Sequence, residues 1–404
     1  MMPRRVYVLG VGAVTALGSS WPLSVQALAR GQSAVGPVQR FDAQGFPCTV
    51  AAEIPNAPVV DDLRWVWVHS AAQQACADAG WPMAQEQPAK RVGVFLGAES
   101  GRAPMATLHA LTRAAGGGVA FNHEPFGRLS RDLVARFDAS VISPAAVTSR
   151  LAGLWQASGP AVTISLACAS GASAIAEAAR AIRLGLCDAA LCGGVGADVD
   201  PLMLAGFGRL GALSAKGVSC PFDVRRDGFV VGEGAAMVLL SHERGDATVE
   251  LAGEGRTLDA HHLTAPDPDG LGAERAMRLA LSAAGMGTVD VVQAHGTSTP
   301  LNDAIEASAL RRVLGPSLDH ALVSSAKGAL GHWIAGAGAL GFLCAHEAVA
   351  NGSVLPTAHL TRPDPACALP HVMGQATSRT VHAAMVNAFA FGGANCCLVL
   401  RRFA

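Results

Sequence analysis

The chain has 404 residues, a formal net charge of −1, 50% hydrophobic residues and only 15% charged ones. Such a chain can bury a large core, and no global field steers it to nucleic acid or an anionic membrane, so only a local basic patch could recruit an acidic partner. Its ten cysteines include no CxxC pair, which argues against a zinc or thioredoxin-type site and for small core residues in a reducing compartment.

The opening MMPRRVYVLGVGAVTALG (1–18) joins an arginine pair to an apolar run, as a signal peptide does. Gly10, Gly12 and Gly18 interrupt the run, which reads as a strand over 6–10 and a turn, so the chain is expected to stay in the cytoplasm. A helix is predicted over 71–80, a strand over 92–97 and a glycine-rich loop at 115–118. The β-branched run 162–166 predicts a strand, followed by an Ala-rich helix over 170–185 and strands over 189–194 and 235–241. After a Pro/Asp loop at 265–270 come a helix over 272–285, a strand over 289–296, a helix over 302–314, a strand over 321–325, a helix over 336–351, and strands over 383–389 and 396–401. The stretch WIAGAGALGFLCAHEAVA (333–350) carries His346 and Glu347 and is too short to span a bilayer comfortably, so no membrane insertion is expected. Continuous apolar strands alternating with helices indicate an α/β protein whose sheets are covered on both faces. The rhythm runs through two parts, 1–245 and 246–404, with no linker and no visible sequence repeat.

Four stretches carry chemistry. Cys168, in SLACASGAS, sits where a strand gives way to a helix; the helix N-terminus would lower its thiol pKa, and the sharp turn would expose the sulfur. Alone, the signal is weak, and a buried structural cysteine is the better reading. His295 follows the apolar strand VDVVQ and opens the loop HGTSTP, a place where α/β proteins put working groups, or where a core histidine is simply satisfied. Lys327 and His332, in KGALGHWIAGAG, lie among glycines that imply close backbone approach to another segment or to a ligand. Finally, NAFAFGGANCC (387–397) sets Phe389 and Phe391 beside paired glycines, as a tight hairpin would.

Together the four stretches resemble the β-ketoacyl-acyl-carrier-protein synthases, the elongating ketosynthases of type II fatty-acid and polyketide assembly. That family shows a nucleophile elbow like ACASG (167–171), HGTxTPxxD (here 295–303), KxxxGH (here 327–332) and NxFxFGGxN (here 387–395). PFDVRRDGFVVGEGAAMVLL (221–240) and the first strand are similar as well. The resemblance implies a thiolase fold, two βαβαβ halves stacked in five αβαβα layers, with the nucleophile in 1–245 and the two histidines and lysine in 246–404. It implies a dimer through the nucleophile-bearing halves, identical or paired with a related ketosynthase-like subunit, and acyl- and malonyl-loaded carrier protein as partner. Cys168 would take the acyl group, and His295 and His332 would hold the enolate formed as CO2 leaves. The Cys168 and Phe391 N–H groups would form the oxyanion hole, and Lys327 would orient His332 and set the local charge. Thr297, Thr299, Phe389, Ala390, Phe391 and Gly341 would line or gate the pocket, and Arg209 would dock the acidic carrier. No metal or redox cofactor is implied.

Other readings compete. GAGALG (336–341) is literally GxGxxG, but ten residues separate it from the preceding strand, unlike a dinucleotide-binding turn. A chain-length-determining subunit typically lacks the cysteine, and a non-decarboxylating acyltransferase usually lacks a histidine; this chain has all three residues. Two departures touch the pocket: Ala390 replaces the usual glycine between the phenylalanines, and Gly341 replaces a glutamate nine residues beyond the second histidine. Both point to a specialised polyketide or polyene pathway.

Overall fold

The computed structural model describes residues 4–81, 91–118, 120–134 and 138–403. In chain order, β1 (Tyr7–Thr15) leads to α1 (Trp21–Ala29), the short pair β2 (Gly36–Pro37) and β3 (Val50–Ala51), and α2 (Leu63–Asp78). β4 (Val92–Gly97) is followed by α3 (Met105–Ala114), α4 (His123–Val134) and α5 (Ala145–Leu154). Then come β5 (Ala161–Ile164), α6 (Ser170–Arg183), β6 (Ala189–Ala197), α7 (Pro201–Arg209) and β7 (Glu233–Ser241). The second part runs β8 (Val249–Leu258), α8 (Leu271–Ala284), β9 (Val291–Gln293), α9 (Pro300–Leu314), β10 (Leu322–Ser324), α10 (Lys327–Leu330) and α11 (Ala337–Asn351). It closes with the small pair β11 (Ser353–Val354) and β12 (Thr377–Ser378), and the long hairpin β13 (Ala383–Phe389) and β14 (Ala394–Arg402).

The main strands lie in the order β10-β9-β13-β14-β8-β1-β7-β6-β4-β5. One antiparallel pair, Tyr7 with Glu250, joins two five-stranded halves. Each half has the same plan. Three parallel strands (β5-β4-β6 and β10-β9-β13) are followed by two antiparallel ones (β7-β1 and β14-β8). The duplication absent from the sequence is therefore plain in the topology. α6 and α11 pack on each other and on strands of both halves; α2 and α5 cover the outer face of one half, and α8 covers the other with α9 beside it. The expected five-layer thiolase arrangement is what the chain forms.

Sequence explains why the two middle helices fit. In α6, Ser, Gly and Ala fill most buried positions, so the helix can be sandwiched without bulk. A Cβ on Gly338 of α11 would come within 2.8 Å of Ala172, and one on Gly171 of α6 within 2.9 Å of the Ala335 carbonyl. Of the GxGxxG glycines, Gly338 packs against α6 and Gly336 against the β6 backbone, where a Cβ would come within 3.0 Å of Gly196 N, so they serve core packing.

Some boundaries differ from expectation. The first strand does not turn at Gly10 but runs to Thr15, because α2 crosses it so closely that a Cβ on Gly12 would lie 2.2 Å from the Ala71 carbonyl. β9 stops at Gln293, two residues before His295. Helices α1, α3, α4, α5 and α7 and strand β8 were not anticipated; α4 has a marked apolar period within a polar, charge-rich sequence, and α3 buries no residue. Among the described residues, no helix is long and apolar enough to cross a membrane.

The packing argument predicts that Gly12→Ala lowers unfolding free energy by about 2–3 kcal/mol, since overpacking against backbone cannot relax. Gly127→Ala in α4, where nothing lies within 4 Å of the added carbon, should instead stabilise by roughly 0.5–1 kcal/mol. Urea midpoints of the two variants check both signs.

Candidate active site

The site is built where the two halves bring their strand ends together. On the second half, β9 delivers His295 and the loop His295–Thr299, and the first turns of α9 fix that loop. The buried Asp303 carboxylate accepts from Thr297 N–H (3.0 Å), Ser298 N–H (3.1 Å) and Phe222 N–H (2.8 Å). One turn on, buried Glu306 accepts from His295 N–H and Gly296 N–H, both at 2.8 Å, and from the Asn387 amide at 3.0 Å. Four consecutive amides are therefore held by two carboxylates of one helix. Burial raises both carboxyl pKa values, and these N–H donors oppose it.

Lys327 opens α10 fully inside the protein. Its Nζ donates to the His295 carbonyl and lies 3.4 Å from His295 Nδ1. Burial lowers its pKa to about 8, against the pull of Glu306 and then Cys168. The expected pairing of Lys327 with His332 is corrected: no hydrogen bond joins them, because Lys327 reaches back along the strand ends toward His295. His332 is fixed by its backbone instead, its N–H donating to the Val230 carbonyl (2.8 Å) and its own carbonyl accepting from Gly232 (3.0 Å). Burial, then the Lys327 charge, holds both histidines well below the usual imidazole range, so both rings are neutral.

The tautomer of His332 follows from geometry. Its Nδ1 accepts from Ile334 N–H at 3.1 Å, so Nε2 carries the proton. That Nε2 is buried and has no partner among the described residues. The His295 ring lies 5.7 Å from His332, nearly perpendicular, and Phe389 and Phe229 pack on the two rings.

On the first half, Cys168 sits in a 3-10 turn, Ala167–Ala169, just ahead of α6. The expectation of a dipole-lowered thiol is not met. Burial pushes it up to about 11, opposed first by the Lys327 charge and then by the nearby backbone N–H groups of Phe391 and of Cys168 itself. The thiolate here forms without water, and that loss outweighs the donors. The resting group is the thiol. Backbone strain gathers around these side chains: Ala167 (φ 46), Ser298 (φ 69) and Ile334 (φ 45) are non-glycine residues in the left-handed region, each costing about 1–3 kcal/mol.

Cys168, His295 and His332 line one cavity of about 380 Å³. Thr297, Thr299, Phe389, Ala390 and Phe391 line it too, and Asp259, Asp267 and Leu210–Ala212 form part of its wall. Arg209 is exposed on the last turn of α7, beside that wall. Gly341 is placed elsewhere: on α11 it is not among the cavity's lining residues, and an added Cβ would meet Val386 and Gln293. Glu306 and Phe229 escaped the sequence reading. Glu306 was recoverable as an acid one helical turn after Asp303, behind a strand-end histidine; Phe229 had no distinguishing pattern. Among the described residues, no group of three or more His, Cys, Asp or Glu side chains could hold a metal ion.

All ten cysteines are unpaired and buried, and among them only Cys168 lines this cavity. Iodoacetamide should therefore label Cys168 first. Its rate should rise about tenfold per pH unit from pH 7 to 10, as a thiol well above its ordinary pKa requires. Peptide mapping with rates at each pH checks this; a plateau below pH 9 would contradict the buried-thiol description.

Comparison with known proteins places this geometry. The family model for the β-ketoacyl synthase N-terminal domain matches residues 3–245, and that for the C-terminal domain matches 248–361. The 3-oxoacyl-[acyl-carrier-protein] synthases 2 of Synechocystis and Coxiella burnetii are each 34% identical to the chain; the first covers 99% of it and 98% of that protein, the second 100% and 99%. Among solved structures, a β-ketoacyl synthase from Burkholderia phymatum superposes with a TM-score of 0.85 at 31% identity, covering 99% of this chain and 100% of that one. A type II polyketide-synthase acyl-carrier protein in complex with its ketosynthase, bound to the hexaketide, gives a TM-score of 0.87 at 27% identity over the whole of both chains. With about a third of its residues shared end to end and both family models met in order, the chain belongs to the β-ketoacyl synthase family of acyl-transferring condensing enzymes.

Proposed function

We propose that this chain condenses an acyl group held on Cys168 with malonyl-acyl-carrier protein, releasing CO2 and giving β-ketoacyl-carrier protein. The observation that carries the reading is the free Nε2–H of His332, buried beside His295 in the cavity that Cys168 shares. A neutral donor with nothing to donate to is pre-organised for an oxyanion.

In the first half-reaction the Cys168 sulfur attacks the carbonyl of an acyl-carrier thioester. The oxyanion is met by the N–H groups of Cys168 and Phe391. The carrier thiol leaves with the proton that Cys168 gives up, and the acyl group stays on the sulfur. Malonyl-carrier protein then enters. The bond to its carboxylate breaks, CO2 departs, and the electron pair becomes an enolate held by the Nε2–H groups of His295 and His332. Its α-carbon attacks the acyl carbonyl, the C–S bond breaks, and Cys168 leaves as thiolate and regains a proton from solvent. Lys327 stays charged at neutral pH behind His295, outside the cavity lining, and its charge helps keep both imidazoles neutral.

The two halves, 1–245 and 246–404, then supply nucleophile and electrophiles respectively. The enzyme works in the cytoplasm as a homodimer. What supports the dimer is the edge strand β5, paired on one side only, together with α3, which buries none of its residues, and exposed Ile142 and Leu154. A specialised polyketide or polyene substrate is supported by Ala390 on the cavity wall.

His332→Ala should slow CO2 release from malonyl-carrier protein on the order of 10²-fold, the usual cost of losing a pre-organised oxyanion donor, while acyl transfer to Cys168 persists. Mass spectrometry of the acyl-enzyme and a separate CO2 assay read the two steps; unchanged CO2 release would remove His332 from its role. A wild-type protein that loads acyl groups yet never releases CO2 would be a plain acyltransferase on this fold.

Arg209→Glu should raise the KM for carrier protein and flatten its salt dependence, because a rim charge acts on encounter more than on chemistry. An unaltered KM would place the docking surface elsewhere.

A further inference from the structure

Glu99 stands two residues beyond the end of β4, as His295 stands two beyond the end of β9. β4 and β9 hold the same place in the two halves: each is the middle of three parallel strands. The Glu99 carboxylate is half-buried, and among the described residues it makes no ion pair. It faces instead the turn that carries Cys168. Ala167 N–H donates to it at 2.9 Å and Ser165 Oγ at 2.7 Å, and Ser170 Oγ lies 3.2 Å from it. Ser170 ties the same turn from within, accepting from Leu166 N–H (2.8 Å) and donating to the Ala167 carbonyl (2.6 Å). The backbone of Glu99 is anchored in turn: the buried Arg64 guanidinium donates to its carbonyl at 2.6 Å and is itself held by Asp62.

We propose that Glu99 is the positioning residue of the nucleophile: its carboxylate holds Ala167 in the left-handed conformation, which fixes where the Cys168 side chain enters the cavity it shares with His295 and His332. The strain at Ala167 needs such a clamp, because an alanine left to itself abandons φ 46. The negative charge also opposes thiolate formation, as it contributes to the raised thiol pKa, so the clamp favours a resting thiol. This role rests on Cys168 being the acylated residue; its test separates the two ideas.

Glu99→Ala removes the acceptor. Acyl transfer from acyl-carrier protein to Cys168 should fall on the order of 10²-fold, the cost of a reacting group misplaced by about an ångström. CO2 release measured without an acyl donor, which depends on the histidines, should be retained. Glu99→Gln keeps an oxygen acceptor and loses the charge. Its loading rate should return to within about threefold of wild type, and iodoacetamide should label its Cys168 faster at pH 8 than in the wild type. Glu99→Ala loading at the wild-type rate, or Glu99→Gln as slow as Glu99→Ala, overturns the proposal. Where Glu99→Ala does not fold, Glu99→Gln decides: retained loading with faster alkylation sustains it, and unchanged alkylation overturns it. If the carrier-protein reading were wrong, the wild type itself would not load. The alkylation comparison needs no carrier protein and would still report on Glu99.

Discussion

Two carboxylates on one turn of α9 hold the electrophilic side of the site together. Asp303 and Glu306 receive the amides of His295, Gly296, Thr297 and Ser298 in sequence, and Glu306 also takes the Asn387 side chain from β13. A loop that leaves a buried strand end must satisfy each of its N–H groups or lose a few kcal/mol for each one stranded. With the loop fixed, the His295 carbonyl has one direction, and Lys327 is drawn to it. Lys327 in turn keeps a positive charge in a place with little water, and that charge and the burial together keep both imidazoles neutral. The protonation states of the site thus descend from a backbone problem and its solution.

Burial is the common cause of the unusual acid–base behaviour here. It raises the Cys168 thiol and lowers Lys327 and both histidines. Each group is pushed toward its neutral form, and only the specific donors and charges resist. The result is a cavity whose polar atoms act as dipoles. Neutral donors suit chemistry in which negative charge appears and vanishes at a carbonyl oxygen, since a fixed cation would bind the ground-state carboxylate as strongly.

Much of this was legible in the sequence, for physical reasons. Residues that must meet a reacting carbonyl sit at strand ends with small neighbours, so Cys168, His295, Lys327, His332 and the Phe389–Phe391 turn were candidates in context, each ambiguous alone, and the resemblance carried by all four stretches together gave them roles. The apolar strands also announced a buried sheet. What was hidden depended on distance between segments. Glu306 carries only its spacing from Asp303 as a signal until α9 folds beneath the His295 loop. Glu99 sits in an undistinguished turn and gains meaning only when β5 lies beside β4. The pKa of Cys168 could not be read from the helix that follows it, because water exclusion is a property of the whole cavity. Gly341 is the opposite case: the family resemblance put it by the pocket, but α11 turns it toward Val386 and Gln293.

The small-residue contact between α6 and α11 has a mechanical meaning. Long side chains at a helix interface let two helices drift, because rotamers can rearrange to fill the gap. Here alanines, serines and glycines leave nothing to rearrange, and backbone rests nearly on backbone. The segment ahead of one helix carries the sulfur, and the segment ahead of the other carries His332. Their separation is therefore set by peptide geometry, which is stiff, and not by the breathing of a liquid-like core. Such a joint acts as a ruler inside the protein: heat or pressure can loosen the rim of the cavity well before it changes the span across which carbon–carbon bond formation takes place.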